Sequence, residues 1–137
     1  MKTIYVGDVH AKFKDFKDLV NEFENYDRII QVGDFGVGFG QGDYFHEQLD
    51  SWCQEKNISF IRGNHDNPSK CKEMKSWIPD GTIIGDHMFI GGAFSVDRNY
   101  RIDGIDWWHD EELSILDFYD IHNAYVTAKP RVVVSHD

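Results

Sequence analysis

Four short segments of the sequence combine aspartate, asparagine and histidine in a way that is typical of metal sites. They are Gly7-Asp8-Val9-His10, Gly33-Asp34, Gly63-Asn64-His65-Asp66 and Ser135-His136. Their oxygen and nitrogen donors suit manganese, iron or zinc better than calcium or the thiophilic metals. Asp34 offers two carboxylate oxygens and can bridge two ions. The segments therefore indicate a site for one or two divalent metal ions.

Each segment alone also has a purely structural interpretation. An Asp-x-His after a strand can be a turn whose aspartate caps a helix, and Gly-Asp is an ordinary turn dipeptide. A single histidine such as His136 is more often a surface or packing residue. Together the segments are more specific, because each follows directly after a predicted strand and unrelated turns have no reason to select metal ligands every time.

The pattern of apolar residues predicts the elements that position these segments. Short β-branched runs predict strands, and apolar residues at helical spacing predict helices between them. The predicted strands are residues 3–6, 28–32, 58–61, 82–84, 88–90 and 131–134, and the predicted helices are residues 13–23, 44–55 and 111–125. This alternation is typical of an α/β fold with a sheet that is parallel at its centre and helices on its faces.

Parallel strands explain how distant segments can meet. In an open α/β sheet the carboxyl ends of the strands share one edge, where ligands bind. A glycine precedes each of the first three segments and permits a sharp turn with close approach of the backbone. We therefore expect all four segments to converge on one pocket.

Length and charge narrow the class of protein. The 137 residues, 41% of them hydrophobic, are enough for one domain over residues 1–137. A net charge of -10 opposes non-specific attraction to nucleic acids or anionic membranes, so a phosphate substrate needs a local positive centre such as bound cations. The apolar stretch 4–6 is too short for a signal peptide or a membrane span. We expect a soluble, cytoplasmic protein without a membrane partner.

In their order, the motifs resemble those of the calcineurin-like metallophosphoesterases, and the resemblance extends from residue 7 to residue 136. It implies an α/β fold with a central, largely parallel or mixed β-sheet flanked by helices, arranged as the sandwich core of that family. It also implies a hydrolase of phosphate mono- or diesters, with two divalent metal ions (Mn, Fe or Zn) and a metal-bridging hydroxide as nucleophile. The expected substrate is a small-molecule phosphate ester or a phosphoprotein, ahead of a nucleic acid.

The resemblance assigns metal-binding roles to five residues. Asp8 and His10 would hold the first metal, Asp34 would bridge both, and Asn64 with His136 would hold the second.

Further roles concern the substrate. By the same resemblance His65 would be the catalytic histidine near the scissile phosphate, oriented by Asp66. Arg98 and Arg101 are candidates for substrate binding, since a guanidinium group matches phosphate oxygens. Pairing of these arginines with nearby aspartates is an equally open alternative.

Two features depart from the family pattern. Gly33-Asp34 continues into the glycine-rich segment 35–40, which we interpret as a mobile loop. The final Gly-His-x-His motif is absent, as expected of a C-terminally truncated core. This departure keeps open a second interpretation, in which the chain is a catalytically impaired fragment or pseudoenzyme that acts as a binding or scaffold module.

Overall fold

The computed structural model describes residues 1–137 and contains two three-stranded sheets. Its strands are β1 (Thr3–Val6), β2 (Arg28–Val32), β3 (Ile58–Ile61), β4 (Thr82–Ile84), β5 (His87–Ile90) and β6 (Val132–Ser135). Its helices are α1 (Phe13–Glu22), α2 (Asp43–Glu55), α3 (Pro68–Cys71) and α4 (Ile115–Ala128), with a turn of 3-10 helix at Arg98–Tyr100. The predicted α/β class is confirmed, and each strand agrees with its predicted range to within a residue.

The first sheet has the order β1-β2-β3 and is parallel throughout. Its side chains alternate between the two faces, because successive residues of a strand point in opposite directions. On one face, Ile29 and Phe60 belong to a core cluster with Phe16 of α1 and Leu49 of α2. These helices therefore cover that face, as the βαβ pattern predicted.

The second sheet has the order β4-β5-β6, with an antiparallel first pair and a parallel second pair. Phe89 of β5 and Val134 of β6 form a second core cluster with Ile30 and Ile61 of the first sheet. The sheets thus pack face to face, as the family resemblance implied, instead of extending one sheet. The reason is that β2 and β3 are apolar on both faces, and a second layer must cover the face without helices.

Helix α4 begins at Ile115 and not at Glu111 as predicted. A capping box ends the preceding loop: the Ser114 hydroxyl accepts the N–H of Asp117 at 3.1 Å, and the Asp117 carboxylate accepts the N–H of Ser114 at 3.3 Å. Glu111 lies upstream of this cap and is buried. None of the helices has the length and apolar character that crossing a bilayer requires.

Candidate metal centre

The four candidate segments meet at one edge of the molecule. Asp8, Asp34 and Asn64 come after the carboxyl ends of β1, β2 and β3, whereas His136 comes after β6 of the second sheet. Together they line a cavity of about 400 Å³. Its walls are formed by Asp8, His10, Asp34, Asn64, His65, Phe94, Val96, Asp97, His136 and Asp137. The fold therefore brings all the candidate ligands to one place.

Asp34 lies at the centre of this arrangement. Its carboxylate belongs to two groups of potential ligands, one with His10 and His65 and the other with Asp8 and His136, and within each group the donor atoms lie within 4.8 Å of one another. His10 Nε2 and His65 Nδ1 lie 3.6 and 2.9 Å from Asp34 Oδ2, and His136 Nε2 lies 3.4 Å from Oδ1. Each oxygen thus faces one group, so the carboxylate could contact a cation on either side.

The grouping differs in part from the one that the resemblance implies. Asp8 is expected to share its ion with His10, yet its carboxylate groups with His136 and Asp34. Asp8 Oδ1 also lies 3.7 Å from His10 Nε2, so this carboxylate is near both groups. Asn64 presents its Oδ1 atom 3.1 Å from His136 Nε2, beside the second group.

The surroundings of Asp34 stabilise its charged form. Burial by itself raises the pKa of this carboxyl group, but hydrogen bonds from the His136 side chain and the His65 backbone N–H, with the charges of both imidazoles, lower the pKa to about 2. A carboxylate must be deprotonated to bind a metal ion. Asp34 is therefore in its metal-binding form over the whole physiological pH range.

His136 has the hydrogen-bond partners of a metal-ligating histidine. Its Nδ1 atom lies 3.0 Å from the carbonyl oxygen of Val32, which can only accept, so Nδ1 carries a proton. In the neutral ring the lone pair of Nε2 then faces Asp34. A histidine that binds a metal usually donates its other N–H to such a carbonyl or to a carboxylate. The donor set therefore fits a divalent cation.

The pKa of His136 reflects the same contacts. Burial lowers this pKa, but the hydrogen bond to Asp34 and the charge of that carboxylate raise it overall above its usual value. Metal binding at Nε2 requires the neutral ring and would release the proton, so metal affinity should decrease as the pH falls.

His65 is held on both sides of its ring. Its Nδ1 atom lies 2.9 Å from Asp34 Oδ2, and its Nε2 atom contacts Nη2 of Arg101. The backbone N–H of His65 donates to Asp34 Oδ1 at 2.9 Å. These contacts place the guanidinium group of Arg101 behind an imidazole that lines the cavity.

The two candidate arginines differ in their surroundings. Arg101 pairs through Nε with Asp97 at 3.0 Å, and only 7% of its side chain is exposed, so it has the expected aspartate partner and also reaches the site. Arg98 is exposed, and its guanidinium group lies 4.8 Å from the ring centre of Phe94. Arg98 makes no hydrogen bond with the candidate ligands.

The Asp66 carboxylate has other partners than the one expected. The resemblance implies that Asp66 orients His65, but no hydrogen bond joins their side chains. Asp66 is fully buried and instead accepts four backbone N–H groups, those of Phe35, Gly36, Val37 and Gly63, at 3.1, 2.6, 3.0 and 2.8 Å. Burial raises the pKa of Asp66, and these donors oppose the rise. Asp66 therefore fixes the backbone of the segments that carry Asp34 and His65.

The glycine-rich segment 35–40 is also held in place. Besides its bonds to Asp66, the segment is tied to Gln41, whose Oε1 accepts the N–H groups of Gly38 and Phe39 at 3.2 and 2.8 Å. Phe39 lines a smaller cavity of about 140 Å³ that shares two histidines with the larger one. The segment thus has defined backbone partners beside the site, and its mobility stays a prediction.

Two of the three glycines that precede the segments are required for steric reasons. A Cβ atom on Gly33, whose φ is +99°, would overlap the ring of His136, and one on Gly63 would overlap Asp34. A Cβ atom on Gly7 would meet one side-chain atom at 3.6 Å, an ordinary contact. The expected close approach is therefore confirmed at Gly33 and Gly63 but not at Gly7.

Three candidate ligands have left-handed backbone conformations. Asp8, His10 and Asp34 have φ values of 49°, 46° and 54°. This conformation costs about 1 to 2 kcal/mol per residue, and such strain persists where the surrounding structure enforces it, often at functional sites.

Sequence reasoning did not assign a site role to three buried polar residues. Gln31 accepts the N–H of Gly33 at 3.1 Å and donates to its carbonyl at 2.6 Å. The Ser95 hydroxyl accepts from Asn64 Nδ2 at 2.9 Å and donates to Glu111 at 2.5 Å. The position of Gln31 between Ile30 and Val32 in a predicted strand could have marked this residue, whereas no spacing motif marks Ser95 or Glu111.

The chain belongs to the calcineurin-like phosphoesterase family, because the model of that family matches residues 1–137, the whole chain. No curated protein and no solved structure matches the chain at a significant level. Family membership confirms the resemblance drawn from the motifs. It implies metal-dependent hydrolysis of phosphate esters, with divalent metal ions as the cofactor.

Proposed function

We propose that this protein hydrolyses phosphate mono- or diesters at a centre of two divalent cations. The proposed ligands are Asp8, His10, Asp34, Asn64 and His136. When bound, two such cations lower the pKa of a water molecule, which becomes the nucleophile, and stabilise the charge on the phosphoryl oxygens. The position of Asp34 supports this proposal most directly, because its two oxygens face two separate groups of donors.

The charge of the cavity wall supports a metal-dependent reaction. Asp8, Asp34, Asp97 and Asp137 all line the cavity, so an anionic phosphate would be repelled from the site without bound cations. Together with the net charge of -10, this favours a small-molecule phosphate or a phosphoprotein over a nucleic acid as the substrate.

His65 and Arg101 are the proposed groups that contact the scissile phosphate. His65 lines the cavity and Arg101 contacts its ring, so the two groups would be close enough to bind oxygens of the same phosphoryl group. His65 would protonate the leaving oxygen or stabilise charge on the phosphoryl group, and a positioned acid contributes about 100- to 10,000-fold to the rate. Arg98 would contact only the part of a substrate that lies outside the cavity.

Metal stoichiometry tests the bridging role of Asp34. We expect the wild-type protein to retain two Mn²⁺ ions per chain after gel filtration and the Asp34→Asn protein to lose both, because the substitution removes the charge that both groups share. Asp120→Asn, on the exposed side of α4, is the matched control and should retain both ions. Unchanged metal content in Asp34→Asn would refute the bridging assignment.

Turnover tests the role of His65. With Mn²⁺ present, we expect His65→Asn to lower kcat for aryl phosphates by about 100-fold or more while metal content is retained. The exposed His122 provides the control His122→Asn. Parallel assays with 4-nitrophenyl phosphate and bis(4-nitrophenyl) phosphate distinguish monoesterase from diesterase activity. A metal-loaded wild-type protein that hydrolyses neither ester would contradict the proposed enzyme and favour the binding or scaffold interpretation.

We further propose that residues 1–137 act as one metallophosphoesterase-like domain in the cytoplasm. Both cysteines, Cys53 and Cys71, are buried and unpaired, which agrees with a reducing compartment.

A single domain of this size should unfold in one cooperative transition. Two separate calorimetric transitions would contradict the single domain.

A further inference from the structure

The amide group of Asn64 can serve a metal ion in only one of its two orientations. Its oxygen can coordinate a cation, whereas its NH2 group has no lone pair to offer. In the structure Oδ1 lies 3.1 Å from His136 Nε2, and Nδ2 donates to the hydroxyl of Ser95 at 2.9 Å. An asparagine side chain can turn end over end, so its neighbours must select the orientation.

The partners of Ser95 provide this selection. Ser95 and Glu111 are each 1% exposed, and the Glu111 carboxylate accepts both the backbone N–H of Ser95 at 2.8 Å and its hydroxyl at 2.5 Å. A carboxylate only accepts hydrogen bonds, so it takes the single hydroxyl proton of Ser95. The Ser95 oxygen can then only accept, and Asn64 must turn its NH2 group toward it.

A buried arginine fixes the position of Glu111. The Nη1 atom of Arg62 donates to the carbonyl oxygens of Asp110 and Glu111 at 2.8 and 2.9 Å, and its Nε atom pairs with Asp80 at 2.8 Å. Arg62 directly follows β3 and precedes Asn64 by two residues. Asn64 and Glu111, which contact Ser95 from opposite sides, are therefore both held at the end of β3.

We propose that Ser95 and Glu111 are positioning residues that hold the oxygen of Asn64 toward the metal centre. Glu111 sets the direction of the Ser95 hydroxyl, and Ser95 sets the direction of the amide. This inference rests on the proposed function, since it treats Asn64 as a ligand. A buried hydrogen-bonded network of this kind also disfavours the alternative orientation, in which the NH2 group of Asn64 would face the cavity.

Two variants interrupt the network at different points. Ser95→Ala removes the acceptor for Asn64 Nδ2. Glu111→Gln keeps the side-chain shape but lets an NH2 group donate to Ser95, which frees the hydroxyl proton to point at Asn64 and favours the reversed amide. We expect each to weaken Mn²⁺ binding by about 10- to 100-fold, the usual effect of losing a partner that orients a metal ligand. Glu112→Gln, at the exposed neighbouring position, is the matched control and should bind Mn²⁺ like the wild type.

Two measurements separate positioning from general stability. Titration calorimetry with Mn²⁺ alone compares Ser95→Ala in the wild-type and Asn64→Ala backgrounds. If Ser95 acts through Asn64, its substitution has no further effect once the amide is absent. In the metal-free protein, NMR should show slowly exchanging Asn64 side-chain amide protons in the wild type and fast exchange in Ser95→Ala.

The outcomes are distinguishable from failure of the proposed function. Wild-type Mn²⁺ affinity in both Ser95→Ala and Glu111→Gln would overturn the inference and leave the metal centre intact, as would an equal loss with and without Asn64. If the wild type binds no Mn²⁺, the proposed function fails, but protected Asn64 amide protons that Ser95→Ala exposes would still support the positioning. If Ser95→Ala does not fold, the comparison of Glu111→Gln with Glu112→Gln decides.

Discussion

The crossover helices α2 and α4 join parallel neighbouring strands in the same way but are packed very differently. Helix α2 leads from β2 to β3 and buries four residues, whereas α4 leads from β5 to β6 and buries only Ile121. Large apolar side chains on α4 stay exposed, among them Ile115 at 87% and Leu116 at 78%. The same βαβ topology therefore produces a buried helix in the first half of the molecule, which contains the sheet β1-β2-β3. It produces a largely exposed helix in the second half, which contains the sheet β4-β5-β6.

This difference bears on the site because its candidate ligands come from both halves. Asp34 and Asn64 follow strands of the first sheet, and the buried Asp66 ties their segments together. His136 follows β6, where the side chain of Val133 is 44% exposed. The first sheet and its helices thus form a well-buried support, and the second sheet adds His136, the candidate ligand that completes one of the two groups.

The largest expected effect tests the packing of the two helices with one substitution. Leu49 on α2 is 1% exposed, so Leu49→Ala should lower the free energy of unfolding by about 2 to 5 kcal/mol. Leu116→Ala on α4 should change it by less than about 0.5 kcal/mol, since the side chain is already in water. Urea unfolding of both variants checks the difference, and equal losses would show that α4 is packed as firmly as α2.

A smaller effect is expected at Asp66, whose carboxylate joins the segments that carry Asp34 and Asn64. Asp66→Asn replaces an acceptor by an NH2 group facing backbone donors, so it should cost about 1 to 3 kcal/mol for the donors left unsatisfied. Asp120→Asn, on exposed α4, should be neutral. Thermal unfolding measures both, and a stable Asp66→Asn protein would mean that the support formed by the first sheet and its helices does not depend on this carboxylate.

Two glycines with positive φ test the close approach of Gly33 to the His136 ring, which connects the two sheets. Gly33→Ala and Gly40→Ala should share a cost of about 1 to 2 kcal/mol, since both positions are left-handed with φ of +99° and +75°. Only Gly33→Ala would also displace the His136 ring, because a Cβ atom at Gly40 meets nothing within 4 Å. Mn²⁺ affinity should therefore fall in Gly33→Ala alone, and equal affinity in both variants would contradict the contact.

The smallest effect concerns the pH dependence of the first half. Burial lowers the pKa of His46, as does the charge of Lys70, while Asp43 and Glu73 oppose the shift, and neither ring nitrogen has a hydrogen-bond partner. The unfolded chain takes up a proton near its ordinary pKa of about 6.5, whereas the folded chain does so only at lower pH. The contribution of His46 to the free energy of unfolding is therefore complete above a pH of about 6.5 and declines as the pH falls below that value.

Urea unfolding between pH 8 and pH 5 measures this decline. The His46→Leu protein should show a shallower decline than the wild type, whereas His122→Leu, at an exposed position of α4, should follow the wild-type curve. A decline that is the same in all three proteins would assign the pH dependence to other groups.

Much of the fold could be predicted from the sequence because its signals are local. The strands that precede Asp8, Asp34 and Asn64 are short apolar runs, and the α/β class follows from their alternation with amphipathic helices. The predicted start of α4 at Glu111 was wrong, although Ser114 and Asp117 have the spacing of a capping box. In that case a local signal was present but the apolar pattern outweighed it.

The partners of buried polar groups could not be predicted in the same way. The Asp66 carboxylate binds the N–H of Gly36 across 30 residues, and Asn64 binds Ser95 across 31 residues. No periodicity or spacing connects such pairs, since they depend on how the sheets and loops pack. From the sequence, Asp66 is expected to orient its neighbour His65. In the structure, the Asp66 carboxylate instead accepts backbone N–H groups that are about 30 residues away in the sequence.

The sequence alone determined which chemical groups stand at the strand ends, because residue type and strand periodicity are local properties. Only the tertiary structure decided that the fourth segment reaches the site from a separate sheet, and which atom of each side chain faces the cavity. The physical reason is that a buried donor or acceptor must find a partner, and the available partners are known only once the chain is packed.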